Sequence, residues 1–391
     1  ATYNLGTIPT TSPADKVFTL NNSGNITATS MTGAGLSAPY TFKGGTYPGT
    51  GGTCAGSLAS SGTCTVVVTF NPVANGSTSS QIDINYFDGA AHQTSSRPVQ
   101  GTGAPPASLS ISDGPTYNYG NVANGSINDH TYTVTNGGGV SSASMTGASL
   151  SAPYSFKGGS YPGTGGTCGA SLGATLTCTI VVTYQPVVLG ASGGTLTVNY
   201  NDGLAAQAAN RAMAGTSVNP ANLQLSDGPS YDYGTWAVGA VNDKSFTVTN
   251  AGDVTATAIS GSGLAVPFTF KGGTYPGAGG TCSTTLNAGA TCTIVVRYAP
   301  VATGIQSDAI DLAYNDGAGP QTSSRAIQGT GATPANLSVS DGLTYDYGTL
   351  AAGGSADKTF TISNSGGVGA VSISGSGLAA PFSFKGGGYP G

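Results

Sequence analysis

The chain has 391 residues, a formal net charge of −5 and only 7% charged residues, with 64 Gly and 21 Pro. An acidic balance without clustered Lys and Arg excludes nucleic acid as a partner, and no apolar run approaches the ~20 residues of a membrane-spanning helix. Glu is absent, Lys and Arg total 11, and Gly, Thr, Ser, Val and Tyr dominate, so the composition favours an all-β protein.

One unit recurs at a fixed step. Phe-Lys-Gly-Gly begins at Phe42, Phe156, Phe270 and Phe384, each 114 residues after the last, and no insertion breaks the register. In chain order, the N-terminal residues lack the basic and apolar regions of a secretion signal. Phe18 and Leu20 alternate with polar neighbours as in a half-buried strand, echoed by Tyr132/Val134, Phe246/Val248 and Phe360/Ile362. A glycine-rich loop from Lys43 to Thr53 follows, which a minimal sandwich does not need. Cys54 and Cys64 then flank a stretch, Leu58 to Gly62, of hairpin-turn composition. Cys64, Val66, Val68 and Phe70 share one face of a strand, as do Ile82, Ile84 and Tyr86 in the next. Asp88-Gly89 is a turn signal, with copies at Asp202-Gly203 and Asp316-Gly317.

Gly101–Pro106 reads as a boundary that ends the strand Arg97–Gln100 and precedes an opening strand at Leu109–Ile111. The units are then 1–104, 105–218, 219–332 and a partial 333–391. The first lacks its opening strand and the last stops short of its cysteine pair. A window on a longer array, or half-domains completed by neighbouring chains, is the expectation. Seven or eight short strands per unit is the count of an immunoglobulin-like β-sandwich, so the fold class is all-β, tandem immunoglobulin-like sandwiches.

The order Phe246–Gly252 (F-T-V-T-N-x-G), Thr291–Pro300 (T-C-T-I-V-V-x-Y-x-P) and Ile327–Gly331 (I-Q-G-T-G) resembles the Hydin-like immunoglobulin-fold domains. These include the choice-of-anchor D repeats of large bacterial surface proteins. The resemblance covers the three full units and implies an extracellular or envelope-associated array with no catalytic residues to carry over. The closely spaced cysteines depart from the usual immunoglobulin bridge, which joins strands distant in sequence.

Those cysteines are the sharpest chemical feature. Cys54/Cys64, Cys168/Cys178 and Cys282/Cys292 are each ten apart, and an even separation across a hairpin turn suits a local disulfide. Redox chemistry prefers Cys-x-x-Cys, and zinc needs further ligands. His92 and His130 have no counterparts in the other units, which excludes a repeated histidine site. Disulfides place the chain outside the reducing cytosol.

Asp88, Asp202 and Asp316 precede Gly in turns, where the carboxylate bonds its own backbone; the alternative is calcium held by turn carboxylates and carbonyls. Asp15, Asp129, Asp243 and Asp357 recur near a strand start and suggest an edge or turn role. Lys43, Lys157, Lys271 and Lys385 recur within Phe-Lys-Gly-Gly, as solvated lysines or surface ion pairs with an Asp. Arg97, Arg211 and Arg325 fit the orienting of a loop through carbonyls or an Asp. Tyr47, Tyr161, Tyr275 and Tyr389 stand beside Pro in the glycine-rich loop. Each offers a face for sugar stacking or a protein contact, or else folds back over the core edge or its own disulfide hairpin.

These features lead to a non-catalytic extracellular or cell-surface array, bacterial by its resemblance, without cofactors. It would form a stalk, fibre or filament through contacts with neighbouring copies. The other expectation is a multivalent adhesin whose Gly/Tyr loops bind glycan or a cell-surface protein.

Overall fold

The computed structural model describes residues 1–391, and the second repeat sets the pattern. Its strands are β1 (Leu109–Ile111), β2 (Thr116–Ala123), β3 (Asn128–Asn136), β4 (Ala143–Gly147), β5 (Tyr154–Phe156), β6 (Thr177–Tyr184), β7 (Gly190–Asn201) and β8 (Ala206–Val218). In β6 the alternate residues Cys178, Ile180, Val182 and Tyr184 are buried, with Val181 and Thr183 buried between them, and in β3 Tyr132 and Val134 are buried with polar neighbours between them. Leu196, Val198 and Tyr200 of β7 close the core from the opposite side.

Two sheets result, ordered β5-β6-β3-β1 and β4-β7-β8-β2. β1 and β2 are consecutive yet lie in different sheets. The Ser112-Asp113-Gly114 turn takes the chain across, with Asp113 at φ 73° and Gly114 at φ 65°, a conformation that short polar residues and glycine tolerate. This strand order is that of a constant-type immunoglobulin sandwich whose first strand is shared between the sheets. In the first and third repeats the strands equivalent to β2 and β8 pair parallel, in registers that include Tyr3↔Val99 and Tyr231↔Ile327.

The third repeat reproduces all eight strands from Leu223–Leu225 to Pro320–Ala332, and the first supplies seven from Tyr3–Pro9 to His92–Ala104. In the partial fourth, Leu337–Val339 pairs with Ile362–Asn364. The expected strand through Phe360 and Ile362 is shortened to Ile362–Asn364 there.

Two sequence expectations need correction. The strands are not all short: β7 and β8 run 12 and 13 residues as one continuous hairpin. The Asp202 carboxylate accepts the N–H groups of Leu204 and Ala205, each at 2.7 Å, which closes the turn without interrupting the ladder. Nor does the strand end at Gln100, since it runs through Gly101 to Ala104. A Cβ at Gly101 would stand 2.5 Å from the Phe70 ring. At Gly215 and Gly329 it would stand 2.6 Å from Tyr184 and Tyr298. Glycine recurs because an aromatic ring lies flat against the strand backbone. The connection proper shrinks to Pro105–Ser108 and its copies, Asn219–Asn222 and Thr333–Asn336.

The chain divides into two compact units, Ala1–Asn121 with Ile127–Ser217, and Val122–Ser126 with Val218–Gly391.

Candidate functional site

The glycine-rich loop is built onto its own sheet. Lys43 N–H donates to Val67 C=O at 2.9 Å, Val67 N–H donates to Pro48 C=O at 2.8 Å, and Thr50 N–H donates to Lys43 C=O at 2.7 Å. Gly49 has φ +88°, and a Cβ there would meet the Val67 carbonyl at 2.2 Å. The expectation that no core requires this loop is therefore overturned: its glycines permit backbone-to-backbone contact with the cysteine-bearing strand Thr63–Phe70. Tyr47 turns back, its ring edge-on to Phe42 at 5.7 Å, with its hydroxyl 3.5 Å from Ala55 C=O. Tyr161 and Phe156, and Tyr275 and Phe270, repeat the 5.7 Å contact, and Tyr389 meets Phe384 at 5.6 Å. Burial raises the phenols of Tyr47 and Tyr161 above their usual range and pushes Tyr275 up to about 12.

In the first three repeats the loop leads into a disulfide hairpin. Cys54–Cys64, Cys168–Cys178 and Cys282–Cys292 have Cα separations of 4.8, 4.8 and 4.9 Å, and no cysteine is free. All six are buried. The Cys54 N–H donates to Thr65 C=O at 3.2 Å, which sets its side chain across from Cys64.

The recurring lysines and the second aspartate series are partners. Lys43 meets Asp15 at 2.7 Å, Lys157 meets Asp129 at 2.8 Å, Lys271 meets Asp243 at 3.1 Å, and Lys385 meets Asp357 at 2.5 Å. The edge or turn role expected of these aspartates is replaced by an ion pair across 28 residues. Thr69 and Thr183 donate to Asp15 and Asp129, each at 2.6 Å. In the third repeat Arg297 stands at the threonine position and grips Asp243 at 2.7 and 3.0 Å. The lysine bond, seconded by threonine, lowers the carboxyls of Asp15 and Asp129. Arg297 is the main cause of the lowering of Asp243 to about 2.

Arg211 and Arg325 donate to the carbonyls of Ile111 and Leu225, at the ends of the two opening strands. Arg97 lies in the strand His92–Ala104, paired with Ile82. The turn aspartates Asp88 and Asp202 are occupied by their own backbone. Asp88 accepts from Ala90 and Ala91, each at 2.8 Å, and Asp202 is bonded in the same way. These bonds, from Ala91 and from Ala205 first, hold both carboxyls below their ordinary range. Asp316 accepts from Ala318 and Gly319 at 2.8 and 2.7 Å.

The arrangement that sequence reasoning missed is the joint between repeats. Each connection presents two consecutive carbonyls, the first held by the repeat before it and the second by the repeat after it. Thr10 N–H donates to Ala104 C=O at 2.9 Å, and Gly139 N–H donates to Pro105 C=O at 3.0 Å. Asn124 to Val218 at 2.9 Å and Asp253 to Asn219 at 3.1 Å repeat it, as do Val238 to Ala332 at 2.9 Å and Gly367 to Thr333 at 3.0 Å. A side-chain contact accompanies the bonds. Pro9 packs over Gly203 and beside Val140, so that a Cβ at Gly203 would be 2.6 Å from the Pro9 ring. Val140 is 8% exposed there, whereas Ile26, at the same register position in the first repeat, is 63% exposed. In the second unit Ala123 packs in the same way against Gly317 and Val254.

A cleft of about 420 Å³ in the first repeat is lined by Leu20, Asn22, Ile26, Met31, Leu58 and Tyr86. Its counterpart in the second repeat is filled by Ala107–Ile111, where Val134 pairs with Ile111 and Leu109 N–H donates to the Tyr200 hydroxyl at 3.2 Å.

Fold and joint together define the class: a tandem array of immunoglobulin-like β-sandwich domains with local disulfides. No family model matches the chain, and no curated protein matches it. Among solved structures, extracellular cadherin domains 1–4 of protocadherin gamma B7 align over 93% of this chain and 83% of that one, at 7% identity and a TM-score of 0.33. A three-domain titin fragment aligns over 84% and 95%, at 11% identity and a TM-score of 0.27. The Vibrio cholerae VesB protease aligns over 29% of this chain at 19% identity and a TM-score of 0.24, and the chain spans about a third of its length. Likenesses of this strength carry no argument; the assignment of class rests on strand order.

Proposed function

We propose that the chain is a non-catalytic extracellular structural array, of the Hydin-like type found in large bacterial surface proteins, that sets identical domains at a constant pitch and associates with neighbouring copies into a stalk or filament. The observation that carries this reading is the doubly held connection. When the last strand carbonyl and the first carbonyl of a four-residue connection are fixed by opposite neighbours, the connection has less torsional freedom to spend on bending. The three buried disulfides support an oxidising compartment. A chain with only 7% charged residues supports lateral association, because self-repulsion between copies is weak.

The adhesin reading has less on its side. The tyrosines on which it relied pack edge-on against phenylalanines of their own core.

Electron microscopy and analytical ultracentrifugation of the chain over a concentration series test the proposal. Ordered fibres or bundles with a regular axial repeat are expected as concentration rises. A chain that stays monomeric throughout, with hits on a glycan array, would transfer the assignment to the adhesin.

A further inference from the structure

One repeat differs from the others in the residue that fastens its opening strand. In the third and fourth repeats Lys244 and Lys358 reach back to the turn aspartates Asp227 and Asp341, at 2.9 and 3.0 Å. Each ammonium lies over a tyrosine face, Tyr231 at 4.7 Å and Tyr345 at 4.6 Å, and Lys16 lies 5.0 Å over Tyr3. The clamp ties the turn after the opening strand to the following strands of the sandwich.

In the second repeat the lysine position is His130. Its imidazole occupies the ammonium's place, with Nε2 3.1 Å from Asp113 Oδ2 and the ring stacked on Tyr117 at 3.6 Å and 13°. The edges of Tyr132 and Tyr119 face it at 4.7 and 6.3 Å. Asp113 also accepts from Ser112 at 2.6 Å and feels the charge of Arg211. Aspartate partner, tyrosine platform and turn are the same as in the lysine repeats. Only the cation is conditional, since histidine gains its charge between about pH 8 and 5.

We propose that His130 makes the second repeat a proton-operated copy of the clamp, which fastens β1 and the turn after it when the imidazole takes up a proton from solvent and loosens them when it gives the proton back. The charged ring supplies both the ion pair with Asp113 and the cation over Tyr117. The neutral ring keeps one hydrogen bond and loses both charge terms.

Hydrogen–deuterium exchange followed by mass spectrometry tests this on the whole chain, with wild type, His130→Lys and His130→Gln compared at each pH so that intrinsic exchange rates cancel. For peptides covering Leu109–Tyr119, wild type is expected to match the lysine variant at pH 5.5 and exceed the glutamine variant several-fold in protection. At pH 8.5 it should fall to the glutamine level while the lysine variant keeps its protection. Peptides covering Leu223–Tyr233, clamped by Lys244, should show no difference among the three proteins. A ratio of wild type to His130→Lys that does not change with pH overturns the proposal, as does wild type tracking His130→Gln at both values.

Discussion

Asn136 is wholly buried, and its amide serves main-chain groups from three segments. Its Nδ2 donates to the carbonyls of Val140 at 2.9 Å and Leu172 at 3.1 Å, and its Oδ1 accepts from Ser108 at 3.1 Å and Gly138 at 2.9 Å. Asn250 repeats the set. Asn136→Ala leaves several buried groups without partners and should cost about 3 kcal/mol in urea unfolding of that repeat; a loss below about 0.5 kcal/mol would contradict this role. The residue recurs visibly in Thr-Asn-x-Gly, yet its role could not be read there, because most of its partners lie 28 to 37 positions away. The Lys–Asp pairs were half legible for the same reason. Both series keep the step of 114, but nothing local says that Lys43 meets Asp15. A second test at this scale concerns acid. Asp243 has its carboxyl lowered to about 2, chiefly by Arg297. A carboxyl lowered on folding stabilises the protein above its unfolded value near 4, and that contribution disappears as pH falls from about 4 towards 2. Arg297→Thr, which installs the residue of the other repeats, should lower the calorimetric melting temperature of the third repeat at pH 7. The gap to wild type should close over that acid window; a gap that persists at pH 2 would point to lost packing rather than lost charge.

At the scale of elements, strand faces were the most legible feature, since a period of two survives any tertiary context that buries one side. The two misread segments are both glycine-rich. The strand expected to end at Gln100 runs on through Gly101–Ala104, and Lys43–Thr53 looks optional but is stitched to Val67. In each, glycine answers to a neighbour distant in sequence, an aromatic ring or a carbonyl, and composition alone cannot separate that cause from flexibility. Two neighbouring glycines test the distinction. Gly49 and Gly51 share φ near +88°, but a Cβ at Gly49 meets the Val67 carbonyl at 2.2 Å and one at Gly51 meets nothing within 4 Å. Gly51→Ala should cost about 1 kcal/mol from backbone conformation alone, and Gly49→Ala well over that in thermal unfolding. Equal costs would mean that the loop is not held against the strand. Reduction of Cys54–Cys64 should separately remove about 2.5–3 kcal/mol by the chain-entropy estimate for so short a loop, read by calorimetry with and without reductant.

Each compact unit holds sandwiches whose connections are bonded on both sides. The constant step of 114 announced an array but left open whether its links are hinges. The joint answers from backbone bonds that composition hides, because Thr10, Asn124 and Val238 share no side-chain chemistry and act only through their N–H groups. Fixed pitch is the central claim, and the first unit holds one complete joint on which to measure it. Spin labels carried by non-natural residues at the equivalent exposed positions Thr94 and Ala208 would avoid the disulfides, and pulsed dipolar spectroscopy would give the distance distribution between the first two repeats. The account predicts a single narrow distribution in the unmodified joint that broadens in Pro9→Gly/Val140→Asp, with both sandwiches still folded and disulfide-bonded; a broad distribution in the unmodified joint, or one that the double variant leaves unchanged, would contradict it.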